Sequence, residues 1–514
     1  MFTVLRLAVV LALLVSLRAA ASDYAMPRFT DPDRAQRVRA LLPEVDKLFT
    51  DLATTRHMPG LVWAIMLDGE VVHTGAHGYA DIEKKIAASP VDTRFRIASM
   101  TKSFTALAIL KLRDAGKLTL DDAVTKHIPD FARVTPLTAD APPVTLRHLL
   151  AMAGGFPEDN PWGDRQLAVT DEQLLAFLRG GVALSTTAGT TFEYSNLGYA
   201  LLGRIVTRVA GEPYQRYIAR EIFAPLGMKD TVWDYTEVPA GKLALGYRRE
   251  NNQWSPEPLL HDGAYGAMGG LLTTIPDFAR YVALHLAAYP ARDDPERGPV
   301  RRATLREMHQ PLIVFALTPN DKTLAGDTYA RAHGYGFGLG WTRDSRRFTS
   351  HGHSGGLPGF GSNYVFYPGH GFAVISFANL TYAGTSATNA KVAQLLLEKA
   401  GLPTRTLPVA PLLAQRQAQV VELLRNDWPA AVADPLVAEN FFLDRSRDAW
   451  RTLTKDTLAK SGAIRSVGEL IPENQLRGTF PLVTENGRID VYFTLTPEAT
   501  PKLQQLRLTF VAQP

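Results

Sequence analysis

Ser99-Met100-Thr101-Lys102 is the only S-x-x-K in the chain. Residues three apart share a face of a helix, so the Lys102 amine is expected to reach the Ser99 hydroxyl. Burial lowers an amine's pKa and lets lysine act as a base toward serine, while a helix start favours the negative charge that then develops. Read alone, an N-cap serine followed by a surface lysine explains the same four residues. Tyr194-Ser195-Asn196 is the only Y-x-N and stands just before an apolar helical pattern beginning near Leu197. A phenol beside a lysine ammonium loses its proton more easily and can serve as a base for an attacking water, and the amide two residues on can hold a substrate carbonyl or the lysine. An aromatic staple with an asparagine cap is the plainer alternative.

His351-Gly352-His353-Ser354-Gly355-Gly356 supports several readings. Gly352 to Gly356 matches G-x-S-x-G, the nucleophile elbow of α/β-hydrolases, yet no acidic residue lies between Ser354 and His370, the last histidine. Pro358 and Gly359 also forbid the helix that follows such an elbow. A metal site on His351 and His353, which share a strand face, has no H-E-x-x-H or carboxylate cluster to complete it, so no metal and no cofactor is expected. The remaining reading is a strand lining a site, with glycines admitting substrate and His353 and Ser354 offering hydrogen bonds.

Taken together and in this order, the three motifs resemble the serine β-lactamase and penicillin-binding-protein superfamily, nearest the class C-like β-lactamase-related hydrolases. The pattern there is S-x-x-K, Y-x-N, then K-T-G or H-x-G, and the resemblance runs from about Val38 to Gly401, including Pro225-Leu226-Gly227-Met228. It implies that Ser99 is acylated, that Lys102 and Tyr194 share proton transfer, and that Asn196, His353, Ser354 and Gly355 hold substrate. The backbone N–H groups of Ser99 and Gly356 would form the oxyanion hole. Two departures stand out. His353 replaces the lysine that would anchor a β-lactam carboxylate, which argues against antibiotic hydrolysis as the main role. The loop Met152 to Asp164 reads Met-Ala-Gly-Gly where relatives often carry a His-x-Ser-Gly turn.

Positioning these residues requires a scaffold. Val38, Leu41, Leu42, Val45, Leu48, Phe49 and Leu52 recur at helical spacing. Leu61 to Leu67 and Val71 to Gly78 read as a hairpin about Asp68-Gly69. Met100 to Leu112 is apolar on nearly every side, hence a helix buried between layers, with Gly116 as its stop. From about Leu120 to Ala330 the pattern is mainly helical. Strands are expected again at Tyr335 to Trp341, Asn363 to Tyr367 and Phe372 to Phe377, then a helix at Lys391 to Lys399. The fold class expected is α+β, an α/β/α sandwich of one antiparallel sheet flanked by helices, with a helical subdomain. Residues 402–411, with three prolines, read as a linker, and residues 412–514 as a small α+β accessory domain with strands paired through Asn486-Gly487.

Composition narrows the rest. In 514 residues, 46% are hydrophobic and 21% charged, a globular balance. There is no cysteine, so thiol nucleophiles, disulfides and Cys-held metals are excluded. A formal net charge of +4, two of it from Arg6 and Arg18, is too small for a nucleic-acid binder. Arg6, the apolar run Leu7 to Leu17 and Ala19 to Ala21 read as a signal peptide over residues 1–21, too short to span a bilayer; export to the periplasm or medium is expected, without a stable membrane span. The function expected is an exported serine hydrolase cleaving an amide in a small peptide or cell-wall-like substrate. A carboxylesterase using the same residues is the alternative, and a non-catalytic cell-wall peptide binder the third reading.

Overall fold

The computed structural model describes residue 24 and residues 26–513; the expected signal peptide lies outside them. These residues divide into two compact units, one of Asp31–Thr404 and one made of the residues up to Thr30 together with those from Arg405 onward.

In the larger unit the principal elements are α1 (Arg34–Thr55), β1 (Gly60–Leu67), β2 (Glu70–Asp81), β3 (Ile86–Ala87), α2 (Lys102–Asp114), α3 (Asn196–Ala210), α4 (Ile275–Leu286), β4 (Ile313–Lys322), β5 (Thr328–Tyr335), β6 (Gly340–Asp344), β7 (Thr349–Leu357), β8 (Phe360–Tyr367), β9 (Phe372–Ala378) and α5 (Ser386–Gln394). The strands form one nine-stranded sheet in the order β3-β2-β1-β9-β8-β7-β6-β5-β4, and every pairing is antiparallel. Asp68 and Gly69 both have positive φ, 55° and 91°, the conformation of a two-residue type I′ hairpin turn.

β1 is buried along its whole length because both of its faces are covered. Val62, Ala64 and Met66 join the core shared with α2, α3 and α4, whereas Leu61, Trp63, Ile65 and Leu67 face the core built with α1 and α5. Helices on both faces of an antiparallel sheet give the α/β/α sandwich expected from the sequence.

Within the nine-stranded sheet, two strand assignments differ from expectation. β4 lies in the region read as helical; it is an edge strand with Val314, Phe315 and Leu317 exposed, so its sequence carries no inside–outside alternation. The run Tyr335 to Trp341 is two strand ends joined by a turn with Gly338 at φ +74°. A Cβ on Gly338 would lie 2.9 Å from the Lys102 carbonyl oxygen, so the glycine lets this turn rest on the helix that carries Lys102.

The smaller unit contains α6 (Pro411–Arg425), α7 (Arg447–Ser461) and strands β10 (Ile464–Val467), β11 (Ile471–Asn474), β12 (Arg477–Thr484), β13 (Gly487–Leu495) and β14 (Leu503–Ala512) among its elements. Its sheet runs β10-β12-β13-β14, with β11 also on β12. Ile489, Val491, Phe493 and Leu495 alternate into a core with Trp428, Phe441 and Trp450. Thr484 pairs with Gly487, so the turn residues are Glu485 and Asn486, one position before those read from the sequence.

Candidate active site

Ser99 sits in a single 3-10 turn, Ala98–Thr101, that feeds directly into α2. Ala98 just before it has φ +50°, a left-handed conformation that costs a non-glycine residue about 1–3 kcal/mol. The turn is held from both sides: the Ile97 N–H donates to the Leu271 carbonyl at 3.0 Å, and the Ser362 hydroxyl donates to the Ile97 carbonyl at 2.8 Å. Gly355 on β7 completes the fit, since a Cβ there would lie 2.2 Å from the Ile97 oxygen.

One turn on, Lys102 is buried and its Nζ donates to three acceptors: Ser99 Oγ at 2.9 Å, Asn196 Oδ1 at 2.6 Å and the Met268 carbonyl at 2.9 Å. Burial brings the amine down to about 7, against the opposing pull of Asp164 and Asp159. A neutral amine is therefore available near neutral pH.

Asn196 begins α3. Asp159 receives the Asn196 and Leu197 N–H groups at 2.6 and 2.9 Å, and Ser195 Oγ receives the Gly198 N–H at 3.0 Å. Together they cap the helix and fix the asparagine. The Asn196 amide nitrogen then faces Asp164 Oδ1 and Asn160 Oδ1, both at 3.3 Å, which orients its oxygen toward Lys102. Gly163 is required for this approach: a Cβ would stand 2.6 Å from that of Asn196. Asp164 is also buried; desolvation raises its pKa, and Tyr382 donates its hydroxyl to Oδ2 at 3.1 Å.

The Tyr194 ring lies 4.9 Å from Lys102 Nζ. Burial raises its pKa well above the ordinary phenol value, a larger influence than its hydrogen bond to Ser99. This corrects the expectation that lysine would make the phenol easier to ionise: Tyr194 is held as a neutral hydroxyl.

His353 is likewise held neutral. Its Nδ1 lies 2.5 Å from the Ser354 carbonyl oxygen, which can only accept, so Nδ1 carries the proton and Nε2 accepts from Tyr335 OH at 2.9 Å. Burial, then the nearby Lys102, pushes its pKa down to about 3. Both ring nitrogens are engaged, and the imidazole gains no charge near neutrality.

Ser99, Tyr194, His353, Ser354, Gly355 and Gly356 all line one cleft of about 480 Å³, with Lys102 and Asn196 buried behind the serine. Its other wall carries Asp164 and Tyr382. Sequence reasoning missed Asp159, Asp164, Tyr335 and Tyr382. The Asp159 to Asp164 stretch lies in the loop whose departure from the usual turn was noted, and that departure was its only signal.

A β-lactamase family model matches residues 45–399. The chain belongs to the β-lactamase family. Within it, Protein flp of Staphylococcus aureus strain MW2 is 30% identical over 345 residues, covering 66% of this chain and 63% of that protein. This chain thus spans just under two thirds of that relative's length. The octameric penicillin-binding protein homologue from Pyrococcus abyssi shares the fold with a TM-score of 0.58 at 22% identity, over 92% of this chain and 96% of that one. EstCE1, a hydrolase with promiscuous acyltransferase activity, superimposes with a TM-score of 0.55 at 22% identity, over 71% and 99% of the two chains. This β-lactamase-fold family is one of serine hydrolases.

Proposed function

We propose that this β-lactamase-family member is a serine hydrolase that forms an acyl-enzyme on Ser99 and cleaves an amide in a small peptide or cell-wall-like substrate. The observation that carries the reading is the Lys102 amine, buried, close to neutral, and 2.9 Å from Ser99 Oγ. As Ser99 Oγ attacks the substrate carbonyl carbon, its proton passes to Lys102 Nζ. The carbonyl oxygen becomes an oxyanion held by the backbone N–H groups of Ser99 and Gly356. The carbon–nitrogen bond then breaks and the leaving amine takes a proton by way of the neutral Tyr194 hydroxyl, which is repaid from Lys102. Water adds to the acyl carbon, gives a proton back along the same path, and Ser99 Oγ leaves with its hydrogen restored.

Asn196 supports this scheme by holding the amine in place, and Ser354 and Gly355 offer the substrate a strand edge. Ester cleavage has one observation in its favour: His353 is neutral, and Lys102 is the only lysine or arginine lining or backing the cleft among the described residues, so a substrate carboxylate gains no fixed cation there. Export is part of the proposal and rests on the Leu7 to Leu17 run.

A panel of short acyl esters set against D-amino-acid peptides tests the choice. Turnover of the peptides with kcat/KM above that of the esters is the expected result. Turnover of esters alone would replace the peptidase reading with the carboxylesterase one.

A further inference from the structure

The cleft at Ser99 does not end at β7. It shares Tyr194, His353, Ser354 and Ser386 with a second cavity of about 350 Å³. That cavity in turn shares Arg331, Thr342, Tyr367 and Ala390 with a third, of about 100 Å³. The three make one continuous trough, with strands β5 to β8 as its floor and α5 as its wall. Its far end is closed where the Gln394 amide donates to the Lys322 carbonyl at 2.8 Å and Glu398 accepts the Leu324 N–H at 2.6 Å.

We infer that this trough is an extended subsite for a peptide-like substrate chain about three to four residues long beyond the reacting carbonyl. The inference rests on the hydrolase reading above. The length follows from the wall: Ser386 to Gln394 is eight helical steps, about 12 Å at ~1.5 Å each, and an extended chain advances about 3.3 Å per residue. The class follows from the lining. The Thr342 and Ser350 hydroxyls, 2.7 Å apart, and the Arg331 guanidinium are spaced along the trough, beside the Tyr367 ring. A peptide backbone can hydrogen-bond to such a row; an alkyl chain would cover it without partners, which is costly. Arg331 is already paired with Asp321 at 3.0 Å, so the trough does not demand an anionic ligand. A polar trough also explains how substrate is held in a cleft whose third motif lacks a free cation.

The test uses the full chain and two ester series, so that amide preference plays no part. In one, acetyl-(alanyl)n nitrophenyl esters extend the acyl side from n = 0 to 5. In the other, acetyl-alanyl-lactoyl-(alanyl)n depsipeptides extend the leaving side over the same range, each with alanine of both configurations. In one of the series kcat/KM is expected to rise about tenfold by n = 3 to 4 and then level off, tenfold being about 1.4 kcal/mol. Ala390 is exposed on the trough wall, so Ala390→Trp should fold and abolish the rise while nitrophenyl acetate hydrolysis stays within about twofold. Thr342→Trp, which plugs the same trough from the floor, should do likewise. Flat series on both sides, or a rise that survives both plugs, would overturn the inference. So would a plug-sensitive gain seen with octanoyl esters and not with peptidyl ones. If wild type failed even on nitrophenyl acetate, the hydrolase reading itself would fall.

Discussion

Two buried clusters of ionisable groups lie in the larger unit, and they solve burial in opposite ways. Around Lys102, two carboxylates, Asp159 and Asp164, pull against the desolvation of the amine and leave it poised near neutrality. Around His351, no carboxylate among the described residues offsets burial. His285 Nδ1 and His309 Nε2 are 2.8 Å apart, Tyr289 OH lies 3.1 Å from His309 Nδ1, and the His351 ring stacks on His309 at 4.7 Å. Burial holds His285 and His351 down to about 3 and His309 well below its usual value. Strand β7 joins the two, with His351 in the neutral cluster and His353 at the cleft. Burial alone thus does not make a proton-transfer group; a buried base stays titratable only where fixed negative charge offsets the lost water.

The largest effect that probes this contrast is removal of the amine. Lys102→Met should lower kcat/KM for a short ester by about a hundred- to ten-thousandfold, the usual range for a general base. Retention of more than a tenth of wild-type turnover would separate the poised amine from catalysis. Ser99 and Lys102 were legible in the sequence because their spacing lies within one continuous turn and helix. Their carboxylate partners were not, because Asp159 and Asp164 reach the site through loop geometry, and a loop leaves no periodic trace.

The next effect is a displaced pH profile. Reaction requires the neutral amine, so kcat/KM should rise with pH through about 7 and then level. Asp164→Asn removes charge that favours the ammonium, so the rise should move to lower pH. An unmoved or alkaline-shifted rise would show that Asp164 does not set the amine's charge.

For the histidine cluster the effect is on stability. Its folded-state pKa values lie below the unfolded value of about 6.5, so the unfolded chain binds more protons in acid. The stability these groups confer is complete above about pH 6.5 and lost progressively as pH falls toward 3. Melting temperature should therefore drop across that window, and His351→Phe, which keeps a ring beside Phe366 and removes an Nδ1 with no hydrogen-bond partner among the described residues, should flatten the drop. An equal acid slope in the variant would remove His351 from the account.

The smallest effect is expected at His353. Because the imidazole is neutral and both nitrogens are engaged, His353→Gln should leave the shape of the pH profile between 6 and 9 unchanged for anionic and neutral esters alike. A new difference between those substrates would show that His353 acts as a charged anchor. The sequence placed this residue on a strand beside the site, as its alternation with glycine allows, but the group that engages its second ring nitrogen is Tyr335, eighteen positions away. The fold was legible wherever patterning reflects burial, as in the Asp68-Gly69 hairpin and the apolar run of β1. It was not legible in β4, an exposed edge strand whose side chains show no inside–outside alternation.

The central claim is that Ser99 is the nucleophile and that the buried Lys102 amine activates it. Treating the full chain with a fluorophosphonate and locating the adduct by peptide mass spectrometry tests this most directly. One phosphonyl group on Ser99, absent in Ser99→Ala and formed at least a hundredfold more slowly in Lys102→Met, is the predicted result. An adduct on Ser354 or another serine, or labelling of Ser99 at an unchanged rate in Lys102→Met, would contradict it.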